Sequence, residues 1–177
     1  MSNCSTLKRW YPGAVNDAVD KILDQWGAVR PGLDVSAMGV VGRISRASRL
    51  LERGVKAYFD EHGLEAWEFD VLATLLRADR TLCMSDLAGA AMVSSGALTN
   101  RIDRLVAKGL VTRATSQDNR RLVLVSLTEE GRRLATGLLD GHVANENSLL
   151  EGLTAAERAQ LAGLLCKLLY TLGDTAP

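Results

Sequence analysis

The chain has 177 residues, 47% hydrophobic and 24% charged, enough for one buried core with helical extensions and too apolar for a disordered polymer. Basic and acidic residues both number 21, so the formal charge is zero and any attraction for a polyanion must come from local rather than total charge. Three widely spaced cysteines (Cys4, Cys83 and Cys166) form neither a disulfide framework nor a zinc ribbon, and are expected as reduced thiols. No apolar leader follows Lys8 and Arg9, and the longest uncharged run, Leu87 to Asn100, is too short and polar to span a bilayer. The expectation is a cytoplasmic protein without a membrane partner, metal or cofactor.

The first predicted helix, Ala14 to Trp26, sets Val15, Val19, Ile22 and Trp26 on one stripe. Pro31-Gly32 breaks it. A long helix from Val35 to Glu61 follows, with Met38, Val41, Ile44, Leu51, Val55, Tyr58 and Phe59 on one face. Its other face carries Arg43, Arg46, Arg49, Arg53 and Lys56. Gly63 ends it, and Leu64 to Leu76 forms a third helix with Trp67, Val71, Leu72 and Leu75 inward.

From Met84 to Thr128 the pattern is helix, tight turn, helix and hairpin. Met84 to Met92 precedes the turn Val93-Ser94-Ser95-Gly96, and Ala97 to Lys108 is the second helix, closed by Gly109. Strands Leu110–Ala114 and Arg121–Leu127 flank a polar tip. Between Ser94 and Thr128 six basic residues face two acids, so this stretch carries four excess positive charges and the remainder four negative. Charge segregated in this way is what phosphate contact requires.

In the second helix Leu98, Ile102 and Leu105 make the inward stripe, so Gly96, Asn100, Asp103 and Arg104 point outward. Asn pairs bidentately with adenine and Arg with guanine, which makes Asn100 and Arg104 the expected base readers. Ser94, Ser95 and Thr99 lie at the helix N-terminus, where hydroxyls and free N–H groups suit a phosphate. At the hairpin tip, Arg120 and Arg121 are placed to enter a narrow minor groove. Asp118 would be repelled by phosphate and is better suited to orienting Arg120. The architecture expected is mainly α with a small β wing, a winged helix-turn-helix.

Thr128 caps the next helix, which runs to about Gly152 with Glu129-Glu130 in its first turn. Thr154 and Glu157 form a capping box for the last helix, in which Leu161, Leu164, Leu165, Leu168, Leu169 and Leu172 cover more than one face. So wide an apolar arc implies a dimer seam.

The run SSGALTNRIDRLVAKGLVTR, followed by DNRRLVLVSLTEEG, resembles the signature of the MarR family of regulators. Asp118 and Arg120 match the family's D-x-R wing, and Leu127 to Gly131 match its L-T-x-x-G. The likeness spans roughly Ala14 to Leu172. It implies a homodimer joined through N- and C-terminal helices (14–62 and 129–173), with a DNA-binding lobe over 64–128. It further implies palindromic double-stranded operator DNA as partner, repression, and release by a small aromatic anion.

The additional N-terminal helix resembles the urate-responsive branch of that family. That branch carries a Trp on the extra helix, an Asp before the reading block, and Args on the recognition helix and first wing strand. Trp26, Asp70, Arg101 and Arg113 match, which implies urate or a related purine as ligand. Independently, Asp70 has no basic residue three or four positions away, and Arg101 lies at the edge of the buried stripe, better placed to reach inward than to read bases. A planar anion would stack on Trp26 and accept charge-assisted bonds from the arginines. Within the family the alternatives are a phenolic or aromatic acid, or thiol oxidation. Cys83, between Leu82 and Met84, is expected to be buried and inert. A small all-α enzyme is the remote alternative: only two histidines, His62 and His142, occur and no phosphate-binding glycine loop is present.

Overall fold

The computed structural model describes residues 16–90, 95–117, 119–120 and 122–174. It divides into two compact units, Met1–Glu52 and Arg53–Pro177. In the first, α1 (Ala18–Val29) is capped by Asp17, whose carboxylate accepts from the Val19 and Asp20 amides, with Asp20 returning the bond. Val19, Leu23 and Val35 form a small core. Gly39 and Gly42 on α2 (Ser36–Glu61) let Leu23 and Val19 approach closely. Arg43 ties the two helices by pairing with both Asp17 and Asp20 at 2.9 and 2.6 Å. The buried stripe is thus Val19–Leu23. Ile22 and Trp26, expected on it, remain 44% and 39% exposed because α2 meets α1 one residue further round.

The second unit begins inside α2, whose final turn is closed by Gly63 in the left-handed region. There follow α3 (Ala66–Ala78), β1 (Leu82–Cys83), α4 (Met84–Ala90), α5 (Ser95–Ala107), β2 (Val111–Thr115), β3 (Val123–Leu127), α6 (Glu129–Leu149) and α7 (Ala155–Thr171). The hairpin carries a third strand beyond the two that the sequence pattern predicts. Leu82 and Cys83 pair antiparallel with Val125 and Leu124, giving the order β1-β3-β2. Two residues are too few to show a period, and only pairing with β3 reveals them.

The core joins Phe59, Phe69, Val71, Leu72 and Leu75 with Leu87, Leu98, Ile102, Leu105, Val111 and Val125. The predicted inward stripe of α5 is wholly buried. Gly109 ends that helix with φ of 71°, and Leu110 N–H bonds back to Leu105 O, a left-handed cap that turns the chain into β2. Thr128 locks the start of α6 to this turn: its hydroxyl donates to Gly109 O at 2.8 Å and accepts from the Gly131 amide at 2.9 Å. Gly131 packs so closely on Leu110 that a Cβ would overlap its carbonyl. At α7 the predicted Thr154–Glu157 capping box is present. No residue of α7 is buried: Leu161, Leu164, Leu168 and Leu169 are 42%, 61%, 37% and 47% exposed.

Candidate nucleic-acid interface and ligand crevice

The α5 helix presents Gly96, Thr99, Asn100, Asp103 and Arg104 on its exposed side, with Leu98, Ile102 and Leu105 beneath. Ser95 opens the helix, and Arg120 sits exposed in the turn of the wing. Ser94, Asp118 and Arg121 lie outside the described residues, as does the Ser95 side chain. The described set thus places hydroxyl, amide and guanidinium groups on one helix face with an arginine at the wing.

Asp103 and Arg104 are not free side chains. The Asp103 carboxylate accepts from Arg113 on β2 at 2.6 Å, tying the recognition helix to the wing. The Arg104 guanidinium lies 4.8 Å from the centroid of the Trp67 ring on α3. The Arg101 guanidinium lies 5.3 Å from the same centroid. One position beyond Trp67, Glu68 is fully buried and accepts from Lys108 Nζ at 2.7 Å. Glu68 Oε2 also accepts the Glu65 amide, while its Oε1 has no hydrogen-bond partner.

Of the four expected ligand residues, Asp70 and Arg101 share an electrostatic environment in the second unit. Desolvation raises the Asp70 pKa, opposed by the positive potential of His142, Arg101 and Arg77 in that order, and reinforced by Glu146. The Asp70 side chain is itself exposed. Tyr58, Phe59 and Phe69 surround the His142 ring at centroid distances of 6.1, 5.1 and 5.0 Å. Arg113 on β2 is held by Asp103. It lines a hollow of about 380 Å³ with Cys83, Met84, Ser85, Thr99, Leu122 and Val123. Trp26 belongs to the first unit, on α1.

Cys83 is half-buried on β1, with Sγ 3.0 Å from Ser85 Oγ. Cys166 is exposed on α7, and Cys4 lies outside the described residues. The described residues contain no cluster of metal-ligating side chains and no helix long and apolar enough to cross a membrane.

A recognition helix behind a short helix, with a three-stranded sheet and an arginine-bearing turn beside it, defines a winged helix-turn-helix DNA-binding protein. Residues 64–123 match the model of the MarR family. The chain is 38% identical over 149 residues to the HTH-type transcriptional regulator PecS of Dickeya dadantii, covering 83% of this chain and 90% of PecS. It belongs to the MarR family and is a transcriptional regulator that binds DNA, not an enzyme.

Two solved structures are similar. A mutant MarR from Escherichia coli complexed with operator DNA matches with a TM-score of 0.65 at 28% identity, over 81% of this chain and 97% of that one. BpsR of Bordetella bronchiseptica, described for regulation of its DNA binding by 6-hydroxynicotinic acid, matches with a TM-score of 0.67 at 28% identity. That match covers 73% of this chain and 91% of BpsR.

Proposed function

We propose that the protein is a cytoplasmic, homodimeric repressor that leaves a palindromic operator when a small aromatic anion, urate or a related purine, binds near Asp70 and Arg101. The observation that carries the ligand reading is the orientation of Arg101. It sits half-buried on the recognition helix, over Trp67 of α3 and within the field of Asp70. An anion that engages Arg101 therefore pulls on the helix that lies in DNA. Desolvation raises the Asp70 pKa, which weakens the carboxylate's opposition to a nearby anion. Trp26 enters this reading through the sequence resemblance.

The homodimer rests on exposed apolar side chains along α7 and on Met38, Val40 and Val41 of α2. Helices 14–62 and 129–173 supply the dimerisation lobe and residues 64–128 the DNA-binding lobe. Asn100, Arg104, Arg120 and Arg121 make the base and groove contacts, with Ser94, Ser95 and Thr99 at phosphate and Asp118 orienting the wing.

A second reading draws on the hollow beside Arg113. It offers a guanidinium, a threonine and apolar walls to a small aromatic acid, the chemical class named for BpsR. The experiment is titration of the protein against DNA flanking its own gene, with and without urate and with an aromatic carboxylate. Release by urate supports the first reading, release by the carboxylate alone supports the second, and unchanged binding removes both ligands.

A further inference from the structure

Arg101, Arg104 and Lys108 are spaced three and four residues apart, so they form one cationic stripe along the recognition helix and the residue just past it. All three meet two consecutive residues of α3. Arg101 and Arg104 lie over the Trp67 ring at 5.3 and 4.8 Å, and Lys108 bonds the buried Glu68 at 2.7 Å. Glu68 faces the core with no exposure, which fixes the end of the stripe. Trp67 is half-buried against the core and cannot swing freely. The Arg104 side chain, otherwise a long flexible arm on an exposed face, is therefore held at a set height on α5.

We propose that Trp67 is a positioning residue for sequence reading: its indole orients the Arg104 guanidinium and thereby sets discrimination between operator and other DNA. The proposal rests on Arg104 as a base reader. A guanidinium must meet both acceptors of guanine in one plane, so a side chain constrained beforehand gains selectivity more than affinity. Trp67 itself touches no base. Its loss leaves the phosphate contacts, and with them binding to arbitrary DNA, in place.

The test selects an operator from a randomised duplex library with the wild-type chain. The Kd ratio between this duplex and a scrambled one of equal length is then measured for Trp67→Met, Trp67→Phe, Arg104→Ala and the Trp67→Met/Arg104→Ala pair. Trp67→Met is expected to lower the ratio about fivefold, the size of one exposed cation–π contact, with binding to the scrambled duplex and its salt slope unchanged. Trp67→Phe, which keeps a ring, is expected to fall between, and carries the test if thermal melting shows the Met variant unfolded. In the Arg104→Ala background the Trp67 change is expected to have no further effect. An unchanged ratio in the Trp67 variants, or an equal loss when Arg104 is absent, overturns the proposal. If Arg104→Ala alone leaves the ratio intact, base reading by Arg104 fails and the role of Trp67 falls with it, while DNA binding stands.

Discussion

Lys108 Nζ lies 2.7 Å from Oε2 of Glu68, a carboxylate with no solvent exposure. The lysine end of this pair is 41% exposed, so the ammonium keeps part of its hydration while cancelling a charge that has none. Lys108→Met leaves that charge buried and uncompensated, an expected cost of about 3 kcal/mol. Glu68→Gln removes the charge itself and is expected to cost less. Urea unfolding of the two variants checks the order; equal losses would mean that the lysine acts through packing alone.

Gly131 shows why the motif after the wing ends in glycine. Thr128 donates to Gly109 and accepts from Gly131, which draws α6 against the Leu110 carbonyl. Gly131→Ala is expected to lose about 3 kcal/mol, since the obstacle is backbone and cannot rotate away. Gly137, with open space around its Cβ position, serves as control: alanine there is expected to be neutral or stabilising.

Asp70 gives a pH-dependent effect. Its pKa is raised above 3.8, chiefly by desolvation, so its ionised form weighs against the folded state at neutral pH. That penalty fades as pH falls through the raised pKa and is gone below 3.8. Asp70→Asn is therefore expected to melt higher than wild type at pH 7, by a margin that closes on acidification. A margin that instead grows on acidification would show that the carboxylate is stabilising.

The two ligand readings separate by substitution. If urate acts near Asp70, Arg101→Ala is expected to raise the urate concentration needed for DNA release at least about tenfold, while Arg113→Ala changes it less. The reverse order places the ligand in the hollow beside Arg113. Fluorescence anisotropy of labelled operator DNA reads both.

Helices with a sustained period were legible from sequence, as were ends set by local chemistry: Gly109, Thr128 and the Thr154–Glu157 box all stand where expected. What escaped depends on contacts between distant segments. The strand Leu82–Cys83 exists only by pairing with β3. Glu68 reads as one more helix acid until Lys108, forty residues on, is seen to meet it. Trp67 falls on the apolar stripe of its helix, and nothing local reveals that two recognition-helix arginines rest on its ring. Arg113 and Asp103 are ten residues apart, across the Gly109 turn, so their pairing is a property of that turn. Trp26 fell on the expected helix but not in its buried stripe, because the face α2 covers is set by Gly39 and Gly42.

The terminal helix α7 buries no residue within its own chain. Its sequence is therefore hardly constrained by the fold it is attached to and answers chiefly to whatever lies opposite. After a gene duplication, changes at positions such as Leu164 and Tyr170, which are 61% and 70% exposed, would let two copies stop recognising each other while their DNA-reading halves stayed identical. Insulated regulators could arise in this way before their operators diverged.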